Sequence, residues 1–288
     1  MPFWFKRKKS KTDYFTPGVR TDLAPSRWRS HHFGLQESRW KSLGNKKFWI
    51  TGAGTGYGRA ISIALACANA EIFLTGRREE KLRQTVSEMK TLGIVEPHCH
   101  ILHCDITDAT QVRGAVKKIN EGTDSLHGLV HCAALVTKNH NKPLQNESFE
   151  TWENLIRTNV TAPWYLTREI FPHMIRGNSA RVIFFSSGAG WASTPGFGPY
   201  NVSKAALNTL SASLAAELLE TYPGQDIQIN VLEPGEARTE MNQGSDISPF
   251  AVANMTLLLL SSPPNGPNGM FFHRDGRELC WGQTSQKF

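Results

Sequence analysis

The chain has 288 residues, 40% of them hydrophobic, a formal net charge of +7 and five cysteines. That length can bury a full core, no stretch reaches the ~18 apolar residues a bilayer span needs, and residues 1–14 lack the apolar stretch of a secretory signal. An odd number of cysteines without Cys-x-x-Cys spacing reads as reduced thiols and hence as a cytoplasmic chain.

The charge is unevenly spread. Residues 1–47 hold 12 Lys/Arg against 3 Asp/Glu, and the remainder 20 against 22. A near-neutral domain, residues 46–288, thus follows a basic extension, residues 1–45. The extension carries Phe3, Trp4, Phe5, Tyr14, Phe15, Trp28, Phe33 and Trp40. Such composition suits an anionic membrane surface or nucleic acid, or a mitochondrial presequence, against which Pro2, Asp13 and Pro17 count. The reading favoured is packing onto its own domain or a sister subunit. Peripheral membrane contact comes next and nucleic acid is disfavoured.

From residue 45 onward the pattern alternates. The apolar run 47–51 reads as a strand ending in a glycine cluster, and 59–69 as an Ala-rich helix. Strands follow at 71–75, 98–104, 126–132, 181–186, 227–232 and 269–273. Between them fall helices at 79–92, 109–120, 149–174, 200–221 and 248–261, with Pro163 and Pro172 expected to bend or end parts of the long one. This order implies an α/β fold: a doubly wound, mainly parallel seven-stranded sheet with helices on both faces. His98, Cys99, His100, His103 and Cys104 would be split between the two faces of their strand, so no metal site is expected.

The first turn reads Thr51-Gly52-Ala53-Gly54-Thr55-Gly56-Tyr57-Gly58. Glycines between a strand and a helix let backbone approach a pyrophosphate at the positive helix end. Tyr57 stands where Gly-x-Gly-x-x-Gly needs its third glycine, so the pattern is Thr-Gly-x-x-x-Gly-x-Gly. At the helical spacing i, i+4, Lys204 can stand beside the phenol of Tyr200 and favour its ionised form. Together these features resemble the short-chain dehydrogenase/reductase family, in its single-domain branch of ~250 residues with a Rossmann-type fold.

The resemblance implies an oxidoreductase interconverting carbonyls and secondary alcohols. Ser187, thirteen residues before Tyr200, would bond the carbonyl oxygen, and Tyr200 would exchange its proton. Lys204 would lower the tyrosine pKa and hold the nicotinamide ribose, and Asn159 would hold a helix kink and a water of the proton relay. Cofactor contacts are expected from Thr51, Gly52, Thr55, Gly56, Tyr57, Gly58, Asp105, Ala133, Pro234, Gly235 and Thr239, besides Tyr200 and Lys204. NAD enzymes usually carry an acid after the second strand, but here Gly76 is followed by Arg77 and Arg78. Two guanidiniums suit a 2′-phosphate, so NADP(H) is preferred over NAD(H). A homo-oligomer, dimer or tetramer, is implied.

Two departures stand out. His131-Cys132-Ala133-Ala134 replaces the family's Asn-Asn-Ala-Gly, and only residues 240–247 separate Thr239 from the next helix, where relatives have a helical lid. The short lid suggests an open site covered by the basic extension or a partner subunit, with Trp191 and Phe197 as walls. A bulky or anionic substrate, such as a carrier-linked one, would fit it. The alternative is a catalytically weak NADP(H)-sensing or interaction protein that works through its basic arm.

Overall fold

Apolar side chains alternate along the strands. In β1 (Lys47–Thr51), Phe48 and Ile50 point into one core and Trp49 into the other, as the two-residue period of a strand requires. The computed structural model describes residues 31–94, 96–136, 143–192 and 194–280. Each strand is returned by a crossover: α2 (Gly56–Cys67), β2 (Glu71–Gly76), α3 (Glu79–Thr91), β3 (Cys99–His103), α4 (Ala109–Gly122) and β4 (Gly128–His131). There follow α5 (Phe149–Ile156), α6 (Ala162–Met174), β5 (Ser179–Phe185), α7 (Ala189–Ala192), α8 (Pro199–Thr221), β6 (Asp226–Glu233), α9 (Ala253–Leu260) and β7 (Phe271–His273). The seven strands pair in parallel in the order β3-β2-β1-β4-β5-β6-β7. The order reverses between β1 and β4, so a crevice opens at the carboxyl ends of these strands.

Helices cover both faces. Leu65, Leu82 and Leu257 from α2, α3 and α9 pack on one, and Val112, Leu166 and Leu207 from α4, α6 and α8 on the other. The bend expected in the long helix is a π-turn at Arg157–Thr161, closed by the N–H of Ala162 donating to the carbonyl of Arg157. Pro163 has no N–H to give the carbonyl of Asn159 four residues back, so the regular α pattern cannot continue there. Pro163 itself sits in the first turn of α6, where a missing N–H costs nothing.

The described part of the extension lies on the first face. Helix α1 (Glu37–Lys41) and the turn before it bury Phe33, Leu35, Trp40 and Leu43. The Phe33 ring stacks 5.8 Å from Trp40 and 6.3 Å from Phe250. Arg39 donates to the carbonyl of Leu258 (2.8 Å), and Asn254 to the carbonyl of Phe33 (2.8 Å). These residues pack on their own domain and line neither cavity described below, so residues 31–45 do not supply the expected cover. The remaining aromatics, from Phe3 to Trp28, lie outside the described residues. Phe33→Ala should lower unfolding stability by about 3 kcal/mol, read as a shifted urea midpoint with an unchanged slope.

Candidate active site

A cleft of about 570 Å³ runs along the carboxyl ends of β1 to β4. Gly52, Thr55, Gly56, Tyr57, Gly58, Arg77, Arg78, Asp105, Ala133 and Thr239 all line it. The glycines are sterically required: Gly52 has φ +67°, and a Cβ there would lie 2.8 Å from the nitrogen of Ala133. A Cβ on Gly58 would lie 2.7 Å from the carbonyl carbon of Gly52 and closer still to its oxygen. Asp105 accepts from the backbone and hydroxyl of Thr107 (2.9 and 2.8 Å) and stands 4.0 Å from Arg77.

Five of the expected cofactor contacts, Thr51, Tyr200, Lys204, Pro234 and Gly235, are not on the lining of this cleft. Thr51 is fully buried; its hydroxyl accepts from the N–H of Ala133 at 3.2 Å and ties the ends of β1 and β4 together. Pro234 and Gly235, like Tyr200 and Lys204, line the neighbouring chamber, which shares Tyr57, Ala134 and Thr239 with the cleft. The Tyr57 hydroxyl donates to the carbonyl of Gly235 (2.7 Å), and burial pushes its phenol up. It joins the glycine turn to the segment after β6. His131 turns from the cleft into the core, stacked 4.7 Å from Phe184, and burial pushes its imidazole down to about 3.

The chamber beside the cleft measures about 470 Å³ and is lined by Ser187, Tyr200, Lys204 and Glu233, with Phe197 and Met241 among the apolar walls. The Ser187 hydroxyl accepts from the N–H of Ala189 (3.2 Å), whereas Ser186 is buried and donates to Asn208. Lys204, buried one turn further along α8, donates to the carbonyl of Phe185 (2.8 Å) and lies 5.7 Å from the Tyr200 ring centre. Trp191 is exposed rather than a chamber wall; its indole N–H donates to Glu233 at 3.3 Å.

The electrostatics differ from the expectation that Lys204 draws the phenol down. Burial pushes Tyr200 up to about 12, opposed by the Ser187 hydroxyl and reinforced by the charge of Glu233. Burial also pushes Lys204 down to about 8, which weakens any cationic pull on its neighbour. Between pH 8 and 10.5 the unfolded chain keeps a proton on Lys204 that the native state gives up, so raising pH favours the native state. Unfolding stability of the parent chain should therefore rise relative to Lys204→Met across that window, measured by urea titration at pH 7.5 and 10.

Asn159 lines neither cavity. It is buried in the π-turn, accepts from the N–H of Leu135 (2.8 Å), and donates to the carbonyl of Leu135 (2.9 Å) and the hydroxyl of Ser203 (3.0 Å). It therefore clamps the chain leaving β4 to the residue before Lys204. The segment after Thr239 is short, as expected, and is a loop whose ends meet where the N–H of Arg238 donates to Ile247 (2.8 Å). Two acids escaped the sequence reading: Glu233 in the chamber and Glu240, which pairs with Arg78 at 2.6 Å. A carboxylate closing a parallel strand, where ligands gather, was the available signal for Glu233.

A doubly wound sheet with a glycine-lined cleft at its reversal point defines a dinucleotide-binding α/β domain. The chain belongs to the short-chain dehydrogenases, NAD(P)-dependent oxidoreductases, since the family model described as short chain dehydrogenase matches residues 46–248. Among curated relatives, cyclopentanol dehydrogenase of Comamonas sp. (strain NCIMB 9872) is 29% identical over 70% of this chain and 76% of its own. Dehydrogenase/reductase SDR family member 4 of Homo sapiens is 30% identical over 70% and 69%. Among solved structures, a short chain dehydrogenase from Salmonella enterica serovar Typhi superposes with TM-score 0.74 at 25% identity, covering 83% of this chain and 99% of that one. A Shigella flexneri 2a homologue complexed with NADP gives 0.73 at 25% identity, covering 82% and 99%. No helix among the described residues is long and apolar enough to cross a membrane.

Proposed function

We propose that this chain is an NADP(H)-dependent carbonyl reductase or secondary alcohol dehydrogenase. The observation that carries the reading is that Ser187, Tyr200 and Lys204 line one chamber, with the Lys204 nitrogen 5.7 Å from the Tyr200 ring centre.

The cleft fits a dinucleotide: a Cβ would fill the space at Gly52 and Gly58, where backbone must meet a diphosphate closely. Residues Gly52 to Gly58 would hold the diphosphate, Asp105 the adenosine end, Arg77 and Arg78 a 2′-phosphate, and Ala133, Thr239 and Lys204 the nicotinamide half. The bound dinucleotide supplies or accepts the hydride. In the reducing direction Ser187 donates a hydrogen bond to the substrate carbonyl oxygen, and Tyr200 transfers its proton to that oxygen as charge builds there. A phenol held near 12 is protonated at neutral pH, the state a proton donor needs. Asn159 keeps the chain at Leu135 and the base of α8 in register beneath them.

The chamber favours a neutral substrate. Its described lining carries Glu233 and Glu236 against Lys204 alone, and Lys204 is committed to Phe185. Two carboxylates would repel the acidic or carrier-linked substrate suggested by the basic extension. The Comamonas relative's name, a dehydrogenase of cyclopentanol, points the same way. The Gly76-Arg77-Arg78 sequence and the NADP complex of the Shigella homologue support NADP(H) over NAD(H). Reduced cysteines support a cytoplasmic site, and the family resemblance supports a dimer or tetramer, which light scattering would measure.

The test is NADPH oxidation against a panel of neutral cyclic and linear ketones alongside keto acids. Turnover of neutral ketones is expected. Tight NADPH binding with no turnover of any carbonyl would favour the sensor or interaction-protein reading instead.

A further inference from the structure

The segment after β6 reaches across the mouth of the dinucleotide cleft. Thr239 lies against the glycine turn, its Cγ2 3.2 Å from where a Cβ on Gly56 would stand. The next residue, Glu240, grips Arg78 with both carboxylate oxygens, 2.6 Å to Nη2 and 3.4 Å to Nη1, joining positions 162 apart in sequence. Arg78 immediately precedes α3 at the end of the cleft that holds Gly76, Arg77, Lys81 and Asp105. One of the two guanidiniums expected to take a 2′-phosphate is therefore already held by an acid.

We propose that Glu240 is a cofactor-specificity residue, an internal competitor that occupies Arg78 and that a 2′-phosphate must displace. The inference rests on the dinucleotide reading above. Both partners are about half exposed, 52% and 48%, and exposed carboxylate–guanidinium pairs are weak. A phosphate monoester, with more charge and three acceptor oxygens, outcompetes a single carboxylate for a guanidinium. A ribose hydroxyl cannot make that exchange. NADP(H) thus binds by exchanging one anion for another on Arg78, with Glu240 left as a like charge nearby. NAD(H) leaves the Arg78–Glu240 pair closed and gains only neutral contacts. The chain accordingly favours the phosphorylated cofactor less than the Arg77-Arg78 pair alone would indicate. Glu240 costs the site part of the affinity that its arginines provide.

The test is calorimetric titration of the full chain with adenosine 2′,5′-bisphosphate and with 5′-AMP, fragments that differ only in the 2′-phosphate, followed by NADP⁺ and NAD⁺. Glu240→Gln removes the charge and keeps the shape. It should tighten the bisphosphate and NADP⁺ by about three- to tenfold, the range expected for losing one exposed pair and one repulsion. 5′-AMP and NAD⁺ should stay within about twofold. Arg78→Gln should abolish the gain from Glu240→Gln in the double variant. Weaker bisphosphate binding by Glu240→Gln, or an equal shift for both fragments, would overturn the competitor and leave the oxidoreductase reading standing. If no fragment or dinucleotide bound the parent chain, that reading would fall and the proposal with it. Circular dichroism confirms that the variants fold, since both residues are surface side chains.

Discussion

Tyr200→Phe should reduce turnover about 10³- to 10⁴-fold while dinucleotide affinity and thermal stability stay close to those of the parent chain. The phenylalanine keeps the ring, including its contact 6.0 Å from Phe197 and its place under Lys204. What disappears is the phenol hydroxyl of a residue that lines the chamber with Ser187, and general acid catalysis by a placed side chain is worth about 10²- to 10⁴-fold. The upper part of that range is expected, because burial leaves few alternative donors and Lys204 is engaged with Phe185. Single-turnover kinetics with NADPH already bound separates chemistry from binding. A loss below tenfold would remove Tyr200 from the proposed role, and a matching loss of affinity would place it in cofactor binding.

Gly58→Ala should abolish detectable dinucleotide binding, a loss of at least about 100-fold, and lower unfolding stability by about 1–3 kcal/mol. The new methyl would sit 2.7 Å from the Gly52 carbonyl carbon, closer still to its oxygen, and 3.1 Å from the nitrogen of Ala53. All are backbone atoms of the same turn, so no rotamer change relieves the clash. The start of α2 and the end of β1 must separate, and the N–H groups at the helix end leave their common aim. Gly114→Ala is the control: that glycine is exposed within α4, and a methyl there would meet nothing within 4 Å. It should be neutral or stabilising by up to about 1 kcal/mol, with binding unchanged. Retained binding by Gly58→Ala would show that the turn can open without cost, contrary to the role assigned to it.

The sheet and the order of the helices were legible because strand alternation and helical periodicity are local properties. The glycine turn was legible because its steric need is written in consecutive residues. Ser187 was separable from Ser186 by its interval to Tyr200, and in the fold the Ser187 hydroxyl accepts from the N–H of Ala189 while that of Ser186 donates to Asn208. What escaped were contacts between segments distant in sequence. Thr51 belongs to the glycine motif yet is sealed under Ala133, a neighbour that comes from 82 positions away. Asn159 does sit at the helix kink, as expected, but the contacts of its amide with Leu135 and Ser203 were not legible. Arg78 reads as a free cation until Glu240 is brought to it by the turn after β6. The ionisation of Tyr200 was misjudged for the same reason, since a neighbouring lysine is local and burial is not.

The docking of Phe33, Trp40 and Arg39 onto residues 250–261 has a consequence for biosynthesis. Asn254 meets the carbonyl of Phe33 across 221 positions, so this seam cannot close until residues 250–261 have left the ribosome. At about 5–20 residues per second, the leading aromatics wait roughly 11–45 s with no surface of their own to cover. During that interval they are the natural targets of holdase chaperones, and a chain ending before α9 would carry them permanently unsheltered. The earliest described residues of the fold are thus secured only after β6 and α9 have been made.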